Sequence, residues 1–372
     1  MTIHVRGYAA QSAKSALAPH RFERRNPRPN DVLIEVLYCG VCHSDLHQAR
    51  NDWGGSIYPM VPGHEVIGRV VSVGSEVSRF RTGDPVGVGC MVDSCQHCEA
   101  CEKGLEQYCE EIPTYTYNAL DRHDRMPTYG GYSEKIVVSE KFVVKIPSSL
   151  DLKAAAPLLC AGITTWSPLR HWNAGKGKNV AVIGLGGLGH MALKLAKALK
   201  AEVTLFTRSP GKEKDARRLG ADRVILSTDP GQMNSVKGRF DLIIDTVPYD
   251  HDLNPYIPAL SLNGTLVLVG FLGNLKDMLN TVPLIMGRKS VAGSVIGGIA
   301  ETQEMLNFCG EHGITADVEM IKIQEINNAY ERMLKSDVKY RFVIDMASLK
   351  NEYDKRTETL LQGHKRKGKI LQ

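Results

Sequence analysis

The sequence predicts an α/β protein of two domains, a β-rich first domain and a doubly wound parallel sheet with helices on both faces. Its 372 residues are enough for two domains, and a hydrophobic content of 43% supplies the apolar residues for their cores. Strand-like segments dominate up to about residue 150, whereas strand and helix patterns alternate after it. Because parallel strands need crossover connections, that alternation predicts a parallel sheet.

Short β-branched segments predict the strands of the first domain. Residues 30–38, 66–77 and 83–89 are rich in valine and isoleucine, and proline, glycine or asparagine bounds each of them. The many glycines and prolines between these segments predict an irregular, turn-rich domain. Its limit lies near Leu150, where the pattern changes.

Strands and helices alternate in the second region. The segment NVAVI at 179–183 is typical of a buried strand, and the amphipathic segment HMALKLAKALK that follows predicts a helix. Further strands are predicted at 202–206, 223–226, 240–247 and 264–270. Beyond residue 290 the pattern predicts helices at 300–312 and 326–335 and a last strand at 340–346.

The charge distribution argues against binding of nucleic acid by the body of the protein. The net charge is +5, but residues 350–372 hold seven lysines or arginines against three acids, which leaves 39 basic against 38 acidic residues elsewhere. A body so close to neutral lacks the basic surface that nucleic acids require. We expect residues 348–372 to be a disordered, solvated basic tail; contact of its HKRKGK segment with RNA or an anionic surface is the alternative.

Three further observations concern the location of the protein. No apolar run reaches the roughly 18 residues that a membrane span needs, and the N-terminus lacks the apolar stretch of a secretory signal. The nine cysteines are an odd number, which argues against a disulfide framework. We therefore expect a cytoplasmic protein with no membrane partner.

A short loop carries four cysteines with the spacing C-x2-C-x2-C-x7-C. Four thiolates so close in sequence can enclose a tetrahedral ion, and a closed four-sulfur site suits structural zinc. An iron–sulfur cluster also uses four cysteines, but its usual short-spaced runs differ from this one. Four buried cysteines without a metal are the remaining alternative, which is disfavoured because so polar a loop provides no hydrophobic core for them. The spacing favours a structural zinc site made of Cys95, Cys98, Cys101 and Cys109.

A glycine-rich turn predicts a dinucleotide site. The pattern G-x-G-x-x-G is weak alone, but here it follows a predicted strand and opens a predicted helix. Its glycines allow a tight turn and let a pyrophosphate approach the helix N-terminus. An ordinary strand–helix turn is the alternative. The predicted cofactor contacts in this turn are Gly184, Leu185, Gly186, Gly187, Leu188 and Gly189.

The end of the second strand of this region selects the cofactor. An NAD-specific site carries an acid about 20 residues after the glycines, where it binds the ribose 2′-hydroxyl. Here no carboxylate follows EVTLF, and two hydroxyls and two cations stand there instead: Thr207, Arg208, Ser209 and Lys212. Such a set would bind a 2′-phosphate, so the sequence predicts NADP(H). A solvated helix start, the alternative, would not explain the missing acid.

The segment CGVCHSDLH at 39–47 contains a candidate metal ligand, which would need further ligands from other parts of the chain. Cys42 is a soft ligand, PGHE adds His64 and Glu65, and LLCAG adds Cys160. Two thiolates and one imidazole would leave the fourth position of a catalytic zinc ion open for substrate. Spacing alone does not establish this set, because Cys160 could be a small core residue and His64 a buried, hydrogen-bonded histidine.

Five motifs in this order carry a family resemblance. GVCHSDLH, PGHE, the four-cysteine loop, LLCAGIT and GLGGLGH resemble those of the zinc-dependent medium-chain alcohol dehydrogenases. Within them the chain is similar to the cinnamyl-alcohol-dehydrogenase-like branch of bacterial NADPH-dependent aldehyde reductases, over residues 5–346. The resemblance implies a GroES-like catalytic domain (1–150 and 291–347) and a Rossmann NADP(H)-binding domain (151–290).

The same resemblance implies roles for the site residues. Cys42, His64 and Cys160 resemble the catalytic zinc ligands, and Glu65 the carboxylate that can enter the metal sphere. Asp45 resembles the acid that orients His64. Ser44 and His47 occupy the positions of the hydroxyl and the base of a proton relay. Cys39, Cys90 and Cys309 are expected in the core, and His43 near the cofactor phosphates.

Further expectations concern the cofactor and substrate. By family analogy, Thr164 is expected to contact the nicotinamide end of the cofactor. Arg341 is expected to reach the cofactor from the first domain, and residues 294–298 are expected to line the same cleft, with Ser294 as a cofactor contact. An apolar pocket wall for aromatic or medium-chain aliphatic aldehydes would come from Trp53, Tyr58, Met60 and Trp166.

The resemblance implies a reversible aldehyde reductase with two zinc ions per chain and NADP(H), assembled as a homodimer or homotetramer. A polyol or secondary-alcohol dehydrogenase is one alternative, and a non-catalytic nucleotide-binding protein on this fold is another. Loss of a zinc ligand or of the relay hydroxyl would favour the non-catalytic alternative, but all of them are present.

Overall fold

Two sheets organise the chain in a computed structural model, which describes residues 2–270 and 273–350. The basic tail lies outside the described residues from residue 351 onward. Within the described ranges, no helix has both the length and the apolar character that crossing a bilayer requires.

The first sheet has the strand order β16-β17-β3-β4-β5-β9, with β8 also paired to β3. Its strands come from both ends of the chain, because β17 lies beside β3. Smaller ribbons, β1–β2 and β6–β7, flank it. The first nine strands are β1 (Thr2–Ala9), β2 (Ala18–Arg25), β3 (Asp31–Val41), β4 (Val66–Val73), β5 (Pro85–Val88), β6 (Met91–Asp93), β7 (Thr114–Tyr115), β8 (Lys135–Ser139) and β9 (Val144–Lys145).

The second sheet is parallel throughout and has the order β12-β11-β10-β13-β14-β15. Counted along the chain this is 3-2-1-4-5-6, the order of a doubly wound dinucleotide-binding sheet. The remaining strands are β10 (Asn179–Ile183), β11 (Glu202–Thr207), β12 (Arg223–Leu226), β13 (Phe240–Asp245), β14 (Leu260–Leu268), β15 (Ser290–Gly293), β16 (Val318–Lys322) and β17 (Arg341–Asp345).

Helices join and cover these sheets. Their bounds are α1 (His43–Ala49), α2 (Glu99–Glu102), α3 (Leu152–Ala155), α4 (Ala161–His171), α5 (Gly189–Ala198), α6 (Glu213–Arg218), α7 (Pro230–Asn234), α8 (Val282–Gly287), α9 (Ile299–His312) and α10 (Ile326–Leu334). The sequence predicted α5, α9 and α10 but not α4, whose Pro168 is unusual within a helix.

Side chains of β10 show how the second sheet is buried. Val180 and Val182 belong to one hydrophobic core, and Ala181 and Ile183 belong to another. Since successive side chains of a strand point to opposite faces, the two cores lie on the two faces of the sheet, as the continuous apolar run NVAVI indicated. A third core fills the first domain.

The parallel sheet extends past residue 290, where the sequence placed the domain boundary. Residues 290–293 form β15, which pairs with β14, so this short segment lies in the second sheet and not in the first domain. The hairpin of β1 and β2 was also absent from the prediction. The polar segment APHRFERR of β2 lacks the β-branched residues that indicate a strand, and its pairing with β1 compensates.

Candidate active site and metal centres

Three separate parts of the chain bring one buried group of ligand atoms together. Cys42 stands between β3 and α1, His64 and Glu65 precede β4, and Cys160 precedes α4. The ligand atoms of these four residues all lie within 4.8 Å of one another, and the Sγ atoms of Cys42 and Cys160 are 4.0 Å apart. All four side chains are buried. The structure thus assembles the set that spacing alone did not establish.

Asp45 fixes the geometry of this group. Its Oδ1 lies 3.0 Å from His64 Nδ1 and accepts the Gly63 N–H, while its Oδ2 accepts the Cys42 N–H at 2.9 Å. Tyr132 Oη donates to the same carboxylate at 3.3 Å. Burial lowers the pKa of His64, but the Asp45 carboxylate opposes that effect and holds the pKa well above its ordinary value. With Nδ1 bound to Asp45, the Nε2 atom of His64 is the one left for a metal.

Glu65 pairs with Arg341, which arrives from β17. Both side chains are buried. Burial raises the pKa of Glu65 to about 7, and the guanidinium of Arg341 opposes that rise. Within the described residues, Glu65 Oε2 has no hydrogen-bond partner. A buried carboxylate oxygen without a partner, beside two thiols and an imidazole, is suited to a cation.

The donor set fits a zinc ion. Two sulfurs and one imidazole nitrogen are the ligand types that zinc prefers, and three protein ligands leave a fourth position for a substrate oxygen. The hydrogen bond with Cys160 lowers the pKa of Cys42 well below its ordinary value even though burial opposes it. One thiol is therefore poised to bind metal as a thiolate.

Ser44 and His47 lie along α1 beside this group. Ser44 Oγ is 3.6 Å from Cys42 Sγ. His47 is one helical turn away, and its Nδ1 lies 2.8 Å from Asp52 Oδ2. His43 is nearer the interior, where burial lowers its pKa. The arrangement places a hydroxyl at the metal position and a histidine nearer the surface.

The four-cysteine loop forms a second candidate metal centre. The Sγ atoms of Cys95, Cys98, Cys101 and Cys109 all lie within 4.8 Å of one another. Backbone N–H groups of Cys98 and Cys95 donate to Cys95 Sγ and Cys109 Sγ at 3.3 and 3.4 Å. Such donors stabilise thiolates, and the N–H groups of Cys101 and Glu110 lower the pKa of Cys98 to about 6. The loop therefore fits a closed four-sulfur zinc site.

The glycine turn joins β10 to α5 as the sequence predicted. Gly184 has a φ of 89°, in the left-handed region that favours glycine. A Cβ at Gly189 would collide with the carbonyl oxygen of Gly184, so the first turn of α5 lies directly against the end of β10. A Cβ at Gly187 would lie 2.8 Å from Arg341 Nη1. Arg341 therefore stands between the glycine turn and Glu65.

The segment after β11 holds its cations with neutral partners. Arg208 Nη2 donates to Tyr249 Oη at 3.1 Å, and Lys212 Nζ donates to the Leu185 carbonyl at 3.1 Å. Thr207 Oγ1 accepts the Ser209 N–H. Burial lowers the pKa of Lys212. Cations held by neutral groups are free to exchange them for a phosphate, and Lys212 already reaches the glycine turn.

Family models match both halves of the chain. An alcohol dehydrogenase GroES-like domain matches residues 28–148, and a zinc-binding dehydrogenase domain matches residues 187–311. The chain belongs to the zinc-binding alcohol dehydrogenases. The predicted family, enzyme class and fold class are thereby confirmed, and the two cysteine-containing centres are consistent with its zinc chemistry.

Individual members of the family are similar along nearly the whole chain. Aldehyde reductase YahK of Escherichia coli is 54% identical over 346 residues, which are 93% of this chain and 99% of the relative. A cinnamyl alcohol dehydrogenase of Sorghum bicolor has a TM-score of 0.89 at 47% identity and covers 93% of this chain and 98% of its own. The Helicobacter pylori enzyme complexed with NADP(H) has a TM-score of 0.87 at 43% identity, with coverages of 93% and 99%.

The three expected cofactor contacts of the dehydrogenase lie in different elements, and Ser294 lies at the carboxyl edge of the parallel sheet. Thr164 is buried in the first turn of α4, where its N–H donates to the Cys160 carbonyl. Ser294 follows β15, and its N–H donates to the Leu268 carbonyl at 3.1 Å. Arg341 lies against Gly187 of the glycine turn, which follows β10. Dinucleotides bind at this edge of doubly wound sheets.

Of the four residues predicted to form the pocket wall of the dehydrogenase, two are accessible and two are buried. Trp53 is 41% exposed, and its ring lies 5.5 Å from that of His47. Tyr58 is half-buried and donates to the Ala49 carbonyl. Met60 and Trp166, in contrast, are each 1% exposed and belong to hydrophobic cores. Their assignment to an open pocket wall is wrong, because their apolar side chains fill the interior.

Cys90 was expected in the core, but the structure places it beside the catalytic group. Its side chain is half-buried, and a hydrogen bond with the Cys160 thiol lowers its pKa. Tyr117 is a second neighbour that sequence reasoning missed, with its ring 5.8 Å from that of His64. Neither residue has a motif of its own. By contrast, Cys39 and Cys309 are fully buried, as predicted.

Proposed function

We propose that this dehydrogenase is an NADPH-dependent aldehyde reductase that also catalyses the reverse oxidation of primary alcohols. The observation that carries the proposal is the buried group of Cys42, His64 and Cys160, which lies one arginine away from the glycine turn. Bound zinc would polarise the carbonyl oxygen, and NADPH would supply the hydride. The neighbouring side chains of this chain then have to orient the substrate and move one proton.

Ser44 and His47 form the proposed proton path. The Ser44 hydroxyl, 3.6 Å from Cys42 Sγ, is placed to give its proton to the developing alkoxide oxygen. His47 lies further out, and the carboxylate of Asp52 orients its ring. His47 would restore the proton through the ribose of the cofactor. Asp45 keeps His64 oriented throughout.

The proposed cofactor preference rests on the segment after β11. Thr207, Arg208, Ser209 and Lys212 provide hydroxyls and cations where an NAD site has an acid. Their present partners are neutral oxygens. A 2′-phosphate can displace those oxygens with a gain in charge-assisted hydrogen bonding, whereas a 2′-hydroxyl cannot.

The substrate is proposed to be an aromatic or medium-chain aliphatic aldehyde. Trp53 is exposed near His47, and Tyr58 is half-buried behind α1. The resemblance to aldehyde reductases and cinnamyl alcohol dehydrogenases supports the same class. Because Met60 and Trp166 are core residues, the proposed wall consists of Trp53 and Tyr58 only.

Initial rates with NADPH and with NADH on an aldehyde panel test this function. The panel contains benzaldehyde, cinnamaldehyde, short and medium aliphatic aldehydes, a ketone and a polyol for the reverse direction. We expect rapid turnover of the aldehydes with NADPH and little with NADH. Fastest turnover of the polyol or of the ketone would instead indicate a polyol or secondary-alcohol dehydrogenase. No turnover by protein with two zinc ions per chain would favour the nucleotide-binding alternative.

A homodimer is the assembly that we propose. Strand β15 is the outer strand of the parallel sheet in the described order, and α8 beside it contains no buried residue. Exposed edges with apolar neighbours are typical association surfaces. We define the apolar edge as β15 together with five side chains that are 61–92% exposed, namely Leu262, Met278, Val282, Ile285 and Met286. Pairing of two β15 strands would cover it.

We also propose a cytoplasmic location. All nine cysteines are free, and six of the nine belong to the two candidate metal groups, including Cys42 and Cys160. Thiolate ligands need a reducing compartment to remain available to metal. Cell fractionation would test this location: the protein should separate from a disulfide-containing marker protein of an oxidising compartment.

A further inference from the structure

The four-cysteine loop contacts the segment that joins β15 to α9. We define the lobe as residues 95–109 and the joining segment as residues 294–299. Glu106, in the lobe, accepts the N–H of Ile299 with Oε2 at 3.0 Å. Tyr108 Oη accepts the N–H of Val295 at 3.3 Å. Both contacts link backbone groups of the joining segment to side chains about 190 residues earlier.

The backbones of the lobe and of the joining segment also lie in direct contact. A Cβ at Gly298 would collide with the Gly104 carbonyl oxygen and would lie 2.7 Å from Glu106 Oε2. Gly298 has φ and ψ of −70° and 169°, which any residue adopts. Glycine is therefore required here by the closeness of the lobe and not by the local backbone. A carboxylate at the first turn of the 14-residue α9 also complements its helix dipole.

The joining segment is strained where the lobe holds it. Ile296 has a φ of 36°, a left-handed conformation that is costly for a β-branched residue. Such a conformation persists only where the surroundings over-determine it, and it is enriched at functional sites. The two anchors at Val295 and Ile299 lie on either side of Ile296.

The other side of the joining segment reaches the catalytic group. Ile296, Gly297 and Ile299 line a small cavity with Cys90 and Leu159, the residue before Cys160. A Cβ at Gly297 would lie 2.6 Å from Ile163 Cδ1, so the segment also lies against the first turn of α4. The segment starts at the carboxyl edge of the parallel sheet, where the cofactor binds.

We propose that the lobe is a positioning element for the cofactor cleft: Glu106 and Tyr108 hold the joining segment in its strained form and thereby set the affinity for NADP(H). Glu106 and Tyr108 are positioning residues, since their side chains bind the joining segment and, among the contacts of the described residues, neither a metal-binding side chain nor the glycine turn. The inference rests on the proposed NADP(H) specificity only for its affinity readout. Zinc bound in the lobe would support the cofactor cleft by maintaining the fold of residues 95–109, and it would not take part in the chemical step.

The variants Gly298→Ala and Glu106→Ala test the inference in two independent ways. The first inserts a methyl group between lobe and segment, and the second removes the acceptor of the Ile299 N–H. Gly175→Ala is the matched control, because the nearest atom to its Cβ, the Leu199 oxygen, lies at an ordinary 3.5 Å. Zinc content by elemental analysis must remain at two per chain, so that the metal centres are unchanged.

Amide hydrogen exchange of the cofactor-free protein is the first readout. We expect exchange at residues 295–300 to rise about fivefold or more in both variants, as for loss of a helix N-cap, and to stay unchanged in the control. The second readout is binding of NADPH and of 2′,5′-ADP, which contains only the adenosine end. Affinity for NADPH should fall about fivefold or more, and affinity for 2′,5′-ADP should stay within twofold.

The outcomes separate this inference from the proposed function. Unchanged exchange at 295–300 in both variants overturns the positioning role, whatever the enzyme binds. Faster exchange with unchanged NADPH affinity overturns its link to the cofactor. Failure of the parent protein to bind NADPH would overturn the proposed cofactor, while the exchange data would still decide whether the lobe holds the segment.

Discussion

Asp45 Oδ1 lies 3.0 Å from His64 Nδ1, and the other oxygen of the same carboxylate accepts the backbone N–H of Cys42 at 2.9 Å. One buried side chain therefore orients two members of the catalytic group. An amide of the same shape would present an NH2 group to one of these donors. We expect Asp45→Asn to weaken zinc binding at this site by about 10- to 100-fold.

Competition of the metal-loaded protein with a chelator measures that affinity. Asp124→Asn is the control, since Asp124 is a surface carboxylate that pairs with Arg28. Equal zinc affinity in Asp45→Asn and the parent protein would contradict the orienting role.

The Lys212 ammonium group should discriminate between the two cofactors. It reaches the Leu185 carbonyl in the glycine turn and has no acid to neutralise it in the described contacts. Lys212→Ala should weaken NADPH binding about tenfold or more, because a charge-assisted hydrogen bond is lost, and should leave NADH binding within about twofold. Fluorescence titration measures both affinities. The control is Lys214→Ala, an exposed lysine two residues on; a parallel loss of NADH affinity would argue against a 2′-phosphate contact.

Two metal sets compete for Cys95. Besides the four cysteines, Cys95 lies close to His97 and Glu111, and the ligand atoms of these three lie within 4.8 Å of one another. Only the four-sulfur set is closed and partly buried. We expect Cys98→Ser to lose one of two zinc ions per chain and His97→Gln to keep both, as elemental analysis would count them. The reverse pattern would assign the metal to the exposed set.

His190 should make stability depend on pH. It is fully buried in α5, stacked on Tyr340, and burial lowers its pKa to about 3; Lys194, Arg341 and Asp317 are the charged groups around it. The unfolded chain, with an ordinary histidine pKa near 6.5, binds the proton first as the pH falls. Stability from neutral His190 is thus complete above about pH 6.5 and is lost toward pH 3, by at most about 1.4 kcal/mol per pH unit.

Urea unfolding at pH 7.5 and 5.5 measures this slope in the parent protein and in His190→Gln. The variant should lose less stability between the two values than the parent does, since glutamine does not titrate. Metal ligands contribute equally to both proteins, so the difference isolates His190. Equal losses of unfolding free energy in the two proteins would show that protonation of His190 does not destabilise the folded state.

The apolar edge should determine the oligomeric state. Ile285 is 75% exposed on α8, beside the outer strand β15. Ile285→Asp places a charge in the proposed interface and should convert the dimer to a monomer. Val71→Asp, at an exposed valine of β4 in the first domain, is the control. Light scattering measures the mass, and a monomeric parent protein would refute the interface.

The sequence predicted what depends on spacing and missed what depends on tertiary contact. The four-cysteine loop and the glycine turn could be predicted because their members are close in sequence. Cys42 and Cys160 are 118 positions apart, so only family resemblance paired them. The contact of Arg341 with Glu65 spans 276 positions and involves residues without a shared motif. Composition also failed to distinguish exposed Trp53 from buried Trp166, because an indole ring serves either purpose.

The pairing of β3 with β17 has a consequence for vectorial synthesis. Strand β3 ends at Val41, next to the first metal ligand, and its partner β17 begins at Arg341. A nascent chain on the ribosome therefore exposes an open strand edge beside Cys42 until almost the last described residue has emerged. The parallel sheet, contained within residues 179–293, can close earlier. Translation that stops before residue 341 would release a polypeptide with a complete nucleotide-binding fold and an unfinished, aggregation-prone active site.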